Sequence, residues 1–149
     1  MAIAIEFEAL QVMKEDAIDA YPDECCGFLY GDEKDLRTIT LARPVHNAKE
    51  GDKRRRFEIA ASDYMDAEQF AADEGLSLLG VYHSHPDHPA IPSIHDLRQA
   101  MPFFSYIILS VKKGKVVDLR SWQLSGDGRF EEEALEKDLN TKILELLNS

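Results

Sequence analysis

The chain has 149 residues, of which 44% are hydrophobic and 30% are charged, as is typical of one globular domain with a substantial core. Acidic residues outnumber basic residues by 28 to 17, which gives a formal net charge of −11. A surface this negative repels phosphates and anionic lipids, and no apolar stretch reaches the roughly 18–20 residues of a membrane helix, so neither nucleic acid nor a membrane is an expected partner.

The first part of the chain predicts a strand, a helix and two further strands. Residues 2–5 form a short strand with no basic flank before it, so no signal peptide is expected. Apolar residues recur at spacings of three and four over 8–20, which predicts an amphipathic helix that Tyr21-Pro22-Asp23 ends. Apolar or alternating runs then predict strands over 26–31 and 36–45.

The middle of the chain predicts a polar loop followed by a helix. Residues 46–56 are polar and end in the basic run Lys53-Arg54-Arg55-Arg56. A short edge strand is expected over 56–59. Ser62 is the expected N-cap of a helix that runs to Glu74, with Gly75 as its stop.

The next part predicts a buried strand, a proline loop, a helix and a hairpin. The mostly apolar run 76–85 is typical of a strand covered on both faces. Three prolines between Pro86 and Pro92 exclude regular structure before a short helix expected over 93–101. A hairpin of two strands is expected over 105–124, turning at Lys113-Gly114.

The C-terminal residues 131–149 are expected to form a helical extension. Their apolar residues make a helical stripe, which consists of Leu135, Leu139, Ile143 and Leu146. The stripe either packs on the domain or pairs two chains into a homodimer. Because strands and helices mix without strict alternation, we expect a single domain over 1–149 with an α/β fold and a mixed central sheet flanked by helices.

The only cysteines, Cys25 and Cys26, are adjacent in the sequence. Adjacent residues rarely reach disulfide geometry, and a secreted scaffold of this size normally carries more cysteines. We therefore expect a reducing compartment, the cytoplasm.

A candidate metal site lies at the end of the strand expected over 76–85. Side chains two apart on a strand share a face, so His83 and His85 point the same way. Asp96 lies in the first turn of the following helix, and the stiff proline loop can return it to the same point. Two imidazoles, one carboxylate and an open fourth position are the ligand set of a catalytic zinc site.

The same residues also permit a structural interpretation. Ser93-x-x-Asp96 is an ordinary helix-start pattern, in which Ser93 caps the helix and Asp96 favours its positive end. The two histidines could be hydrogen-bonded polar residues at the end of a sheet. A hydrolase also needs a base, for which Glu24 is the candidate, but spacing alone favours a surface carboxylate in a turn.

Three motifs together resemble one known family. The segments Pro22-x-Glu24-x-Cys26-Gly27-x-Leu29-x-Gly31, His83-Ser84-His85-Pro86 and Pro92-Ser93-x-x-Asp96 are similar to the signature of the JAMM (MPN-plus) metalloproteases. The resemblance covers about residues 3–125. It implies a cytidine-deaminase-like α/β/α fold.

The resemblance also implies a mechanism. It implies one Zn²⁺ per chain, held by His83, His85 and Asp96 with a water as the fourth ligand. It further implies that Glu24 takes a proton from that water and passes it to the leaving amine. Ser93 would donate a hydrogen bond to the oxyanion of the tetrahedral intermediate, and one such donor contributes about 2.7–4 kcal/mol in other enzymes.

The short chain indicates a substrate class. Met101 runs almost directly into the strand at Tyr106, without the long insertion by which eukaryotic members grip ubiquitin, so the chain is similar to the stand-alone prokaryotic members. This likeness implies hydrolysis after the C-terminal Gly-Gly of a small ubiquitin-like, sulfur-carrier protein of the ThiS/MoaD type. The edge strand expected after 46–56 is a candidate to pair with the extended tail, with an arginine near its carbonyls, although a solvated basic loop is an equal alternative.

Other functions fit the residues less well. A zinc deaminase needs His-x-Glu and Pro-Cys-x-x-Cys, which the chain lacks, and a thiol such as Cys26 in an apolar strand is usually inert. The remaining alternative is a catalytically silent MPN-type module with structural zinc, although such sites normally have four protein ligands and three are found. His88 and His95 lie beside the motifs and are not expected to bind the metal.

Overall fold

The computed structural model describes residues 2–148, except for the side chains of 137–140. The elements in chain order are β1 (Ala2–Ile5), α1 (Phe7–Ala20), β2 (Cys26–Asp32), β3 (Arg37–Val45), α2 (Ala61–Glu74), β4 (Ser77–Pro86), α3 (Ile94–Gln99), β5 (Ser105–Lys112), β6 (Lys115–Leu124), β7 (Phe130–Leu135) and α4 (Lys137–Leu147). None of the helices in this described range is both long enough and apolar enough to cross a bilayer.

The strands form one mixed sheet, in the order β1-β3-β2-β4-β5-β6-β7. The pairs β1–β3, β4–β5 and β1–β7 are parallel, and the other neighbouring pairs are antiparallel. The pairing of β7 with β1 closes the sheet into a barrel. The mixed α/β class is confirmed, and the closure is a feature that the sequence did not indicate.

One face of the sheet packs against α1 and α4. Leu10 and Met13 of α1 are fully buried in an apolar cluster that includes Leu29 of β2, and Ile143 and Leu146 of α4 belong to the same cluster. Burying each of these side chains contributes about 1.5–3 kcal/mol. Two residues of the C-terminal stripe therefore pack on the domain.

The other face of β2 and β4 packs against α2. Because successive strand residues point to opposite faces, Phe28 and Val81 lie on this side, in contact with the cluster that includes Ala67 and Ala71. Helices thus cover both faces of the central strands. His83 follows Val81 by two positions, so its side chain points towards the α2 side.

The close approach of β2 and β4 depends on Gly27. A Cβ atom on this residue would lie 2.3 Å from Cε1 of Tyr82 and 2.5 Å from the carbonyl oxygen of Arg43. Glycine therefore allows the Tyr82 ring to lie across β2. The same pairing sets Cys26 opposite His83, which brings the segment before β2 towards the end of β4.

The edge strand expected over 56–59 is absent from the described chain. Phe57 and Ile59 are buried as a strand would bury them, but the segment makes one backbone pair, from the Ala48 N–H to the Glu58 carbonyl, and its other bonds go to side chains. The Glu58 N–H donates to Oδ1 of Asn47, and Gln99 donates to the Phe57 carbonyl. The prediction was wrong because burial of alternate residues does not require a neighbouring strand.

The helix boundaries differ from those expected at two places. The N-cap of α2 is Ala60, without a side-chain cap bond, so Ser62 lies inside the first turn. Gly75 is the left-handed C-cap, as expected. Helix α3 ends at Gln99 rather than at Met101, because a residue before a proline such as Pro102 is disfavoured in helical conformation.

The helical extension expected over 131–149 is also corrected. Residues up to Leu135 belong to β7, which pairs with β6 and β1, and the helix begins only at Lys137. Pairing partners on both sides override the helical preference of a glutamate-rich segment. Leu139 lies outside the described side chains.

Candidate active site

The two histidines of the sequence motif meet at the end of β4. His83 and His85 are 1% and 6% exposed, and their Nε2 atoms lie 3.1 Å apart. The period of two along the strand places both rings on one face, as predicted. Two buried imidazoles at this distance need a shared proton or a shared cation.

Asp96 completes the group from the first turn of α3. Its Oδ2 lies 3.1 Å from Nε2 of His85 and 3.2 Å from Nε2 of His83. The same oxygen accepts the Ser93 N–H at 2.8 Å, and the Asp96 N–H donates to Oγ of Ser93 at 3.1 Å. The helix-capping interpretation is confirmed, and the capping carboxylate also lies beside both imidazoles.

Nε2 of His83, Nε2 of His85 and Oδ2 of Asp96 form a triangle of atoms. This triangle has the spacing of ligands around a small tetrahedral cation. Ligands about 2.0–2.1 Å from a tetrahedral Zn²⁺ lie about 3.3 Å from one another. The three observed separations are 3.1, 3.1 and 3.2 Å. Nδ1 of His85 lies 2.8 Å from the Pro89 carbonyl, so Nδ1 carries the proton and Nε2 presents its lone pair to the triangle. The residues fit such an ion.

The proline loop that carries Asp96 to the triangle is held by three successive carbonyls. The His88 carbonyl accepts from Oγ of Ser110 at 2.5 Å, the Pro89 carbonyl bonds His85, and the Ala90 carbonyl accepts from Nε1 of Trp122 at 3.0 Å. Ser110 and Trp122 lie on β5 and β6. Sequence reasoning missed both, because no local signal connects them with the loop.

His83 is oriented by stacking instead of by a second hydrogen bond. Its Nδ1 is buried without a hydrogen-bond partner, and its ring lies 4.4 Å from the Phe57 ring at an interplanar angle of 27°. Gln99 of α3 fixes Phe57 through a 2.9 Å bond to the Phe57 carbonyl. Burial lowers the pKa of His83, which favours the neutral form that a metal ligand requires.

Glu24 is a buried residue of this cluster, not a surface carboxylate. It is 5% exposed, its Oε1 has no hydrogen-bond partner, and its ligand atom and those of His83 and His85 all lie within 4.8 Å of one another. Burial, together with the charges of Asp96 and Asp52, raises the pKa of Glu24 to about 9. A buried carboxyl oxygen without a partner among the described residues is a sign that a further polar group belongs here.

The pKa of Asp96 is shifted in the opposite direction to that of Glu24. Burial alone would raise its pKa, but the neighbouring His83 and His85 and the N–H of Ser93 hold the pKa of Asp96 far below its ordinary value. The two carboxyl groups thus have different states at neutral pH. Asp96 is an anion ready to bind a cation, and Glu24 is able to hold a proton.

The cluster opens into a cleft of about 710 Å³. Glu24, His85 and Ser93 line it, and the basic side chains of Lys49, Arg55 and Arg56 line it from the loop between β3 and α2. His88 and His95 also line the cleft, outside the cluster of ligand atoms described above. Two residues of the basic run, Arg55 and Arg56, therefore border the cleft.

Residues 8–125 match the family of prokaryotic homologs of the JAB domain. The chain belongs to this family. This chain is 35% identical over 98 residues to the desampylase of Haloferax volcanii, and the aligned region covers 65% of this chain and 69% of that protein. It is 32% identical over 110 residues to the desampylase of Pyrococcus furiosus, which covers 73% of this chain and 72% of that protein.

A shorter similarity and two solved structures agree with this family. This chain is 54% identical over 35 residues, which are 24% of each chain, to a "probable TtuB-protein conjugate cleaving protease" of Thermus thermophilus. A protein of Desulfitobacterium hafniense solved in solution has a TM-score of 0.78 at 31% identity, over 90% of this chain and 91% of that one. A JAB1/MPN domain protein of Archaeoglobus fulgidus shares the fold, with a TM-score of 0.54 at 20% identity over 91% of this chain and 98% of that one. The chain is a hydrolase of the JAMM type.

Proposed function

We propose that this hydrolase cleaves the amide bond that follows the C-terminal Gly-Gly of a small ubiquitin-like or sulfur-carrier protein. The observation that carries the proposal is the convergence of His83, His85, Asp96 and Glu24 at an open cleft. The relatives named as desampylases and as a TtuB-conjugate protease supply the substrate class. Both cysteines are free, in keeping with reaction in the reducing cytoplasm.

One zinc ion would be held by Nε2 of His83, Nε2 of His85 and Oδ2 of Asp96. Zinc bound there supplies a Lewis acid that polarises the scissile carbonyl and lowers the pKa of a water. Asp96 is preferred to Glu24 as the third ligand because its Oδ2 is nearly equidistant from both imidazoles and is fixed by the Ser93 N–H. Glu24 remains available for proton transfer.

Glu24 takes a proton from the attacking water and delivers it to the leaving amine. Its Oε1 has no competing donor, so the carboxyl group is free to form these bonds. Burial raises its pKa, and a positive charge held at the triangle opposes that shift and brings the pKa towards the working pH of a general base. The same group can therefore serve first as base and then as acid.

Ser93 donates a hydrogen bond to the oxyanion that forms on the scissile carbonyl. Its Oγ accepts the Asp96 N–H, which fixes the oxygen and leaves the hydroxyl proton for another acceptor. Ser93 also lines the cleft, next to His85. The helix cap thus orients the catalytic hydroxyl.

The carrier tail lies in the cleft, beside the loop between β3 and α2. Two glycines have no side chains and let the backbone reach the buried triangle, while Arg55 or Arg56 is close enough to the cleft to bond the tail carbonyls. Replacing Arg54, Arg55 and Arg56 by glutamine is expected to raise KM for a carrier substrate. An unchanged KM would show that these arginines do not bind the tail.

The proposal is tested with purified sulfur-carrier proteins of the ThiS/MoaD type that bear a peptide after Gly-Gly, or an isopeptide link from Gly-Gly to lysine. Zinc-loaded protein is expected to release the carrier with a free Gly-Gly tail, observed by intact mass, and chelation is expected to stop the release. A carrier whose last glycine is replaced by valine is the matched control. Intact carriers after incubation with the zinc-loaded chain would favour a silent zinc-binding module instead.

A further inference from the structure

The side chain of Asn47 makes four hydrogen bonds, all to backbone groups. Its Nδ2 donates to the carbonyls of Glu24 at 3.1 Å and Arg56 at 3.2 Å. Its Oδ1 accepts the N–H groups of Lys49 at 3.0 Å and Glu58 at 3.1 Å. These bonds use both donors and both acceptor positions of the amide. One side chain therefore joins both ends of the segment 47–58 to the residue proposed as general base.

The backbone of Glu24 is held from a second direction as well. Its N–H donates to the Lys53 carbonyl at 2.7 Å, so the loop bonds both backbone polar groups of this residue. The following N–H, of Cys25, donates to Oγ of Ser84 at 2.8 Å. Ser84 lies between His83 and His85 in the sequence of β4, with its side chain on the opposite face of the strand. The Glu24 backbone is thus fixed between the loop and the strand that carries the histidines.

The bonds of Asn47 matter because the Glu24 side chain has no fixed partner of its own. Its Oε1 is buried and unbonded, so the place of the carboxyl group is set by its backbone and by packing. The loop that Asn47 closes also carries Lys49 and Arg56 into the cleft. A shift of about 1 Å in a catalytic group can cost about 100-fold in rate.

We propose that Asn47 is a positioning residue for the reaction. It fixes the backbone of Glu24 and the loop that carries Lys49 and Arg56 to the cleft. The inference rests on the proposed function, because it assumes that Glu24 is the base. Asn47 does not line the cleft, and its side chain bonds only backbone groups. It acts through Glu24. Loss of the amide donors leaves the Glu24 and Arg56 carbonyls without this bond and lets the base move away from the triangle.

The test compares Asn47→Ala and Asn47→Asp with the control Gln123→Ala, using zinc-loaded protein and a carrier extended after Gly-Gly. Gln123 is a matched control because its amide also donates to a loop carbonyl, that of Phe103, at 3.3 Å and away from the cleft. Both Asn47 variants are expected to retain zinc and to lose about 10- to 100-fold in kcat. Asn47→Asp keeps the shape of the side chain and its acceptor oxygen but lacks both donors. This variant therefore tests the role of the donors even if Asn47→Ala does not fold.

A double-mutant cycle separates positioning from a general structural role. In a Glu24→Gln background, the Asn47 substitutions are expected to cause little further loss of kcat, because the base that they displace is already gone. An equal loss in both backgrounds, or wild-type kcat in a folded Asn47→Asp variant, would overturn the inference. Failure of wild-type protein to cleave any carrier would instead overturn the proposed function.

Discussion

Glu24→Gln is the substitution that separates the metal ligands from the base. The amide keeps the shape of the carboxyl group but cannot accept a proton, so kcat is expected to fall by about 10²- to 10⁴-fold, the usual contribution of a general base. Zinc is expected to remain at one per chain, because the proposed ligands are His83, His85 and Asp96.

The same substitution is expected to change the pH dependence of stability in the metal-free protein. The pKa of Glu24 is raised to about 9 by burial and by the charges of Asp96 and Asp52, from an ordinary value of 4.5. A raised pKa means that the folded chain favours the protonated carboxyl. Its contribution to stability is intact below the ordinary pKa and is lost as the pH rises towards about 9.

The expected loss of unfolding free energy follows from the width of the pH interval. Between pH 6 and pH 8 the unfolded chain holds Glu24 ionised and the folded chain holds it protonated, so each pH unit costs about 1.4 kcal/mol and the interval at most about 3 kcal/mol. For a domain of this size that corresponds to a fall in Tm of about 6–12 °C. The lowered pKa of His83 acts in the opposite direction near pH 6, but it is common to both proteins and cancels in their difference.

The measurement is the Tm of metal-free wild type and Glu24→Gln at pH 6 and pH 8. The variant is expected to become relatively more stable as the pH rises, so the difference in Tm grows across the interval. A difference that does not change with pH would show that Glu24 is not held protonated by its surroundings. Loss of zinc from the variant would show that Glu24 is a ligand, and the assignment of the base would then fail.

Three further substitutions test the site and the sheet. Asp96→Asn is expected to abolish both activity and stoichiometric zinc after dialysis, and retention of one zinc per chain would contradict its role as ligand. Ser93→Ala is expected to lower kcat by about 10²- to 10³-fold and to cost about 1 kcal/mol of unfolding free energy through the lost cap; unchanged kcat would exclude it as the oxyanion donor. Gly80→Ala is expected to lower the Tm strongly in thermal denaturation, because its Cβ would lie 1.9 Å from the Ser105 carbonyl oxygen, whereas an unchanged Tm would show that β4 and β5 separate freely.

The parts of the fold that follow from local patterns were predictable from the sequence. Helix α1 and strand β4 have clear periodicity, and the period of two along β4 places His83 and His85 on one face. The capping motif located Asp96 at the start of α3. Such features depend on residues that are neighbours in the chain, which is why a single sequence contains them.

Features made by distant residues were not predictable in this way. Phe57 stacks on His83, and Trp122 holds the proline loop, across separations that no local pattern encodes. Strand β7 forms because β6 and β1 offer pairing partners, although its sequence favours a helix. The burial of Glu24 likewise depends on β4 and on the loop around Asn47, so spacing alone suggested a surface turn.

A crystal structure of the zinc-loaded protein tests the central claim most directly. It is expected to show one zinc ion bound by Nε2 of His83, Nε2 of His85 and the carboxylate of Asp96, with a solvent molecule in the fourth position within hydrogen-bond reach of Glu24. A zinc ion whose fourth ligand is the Glu24 carboxylate would contradict the account, because neither an open position nor a free base would then remain.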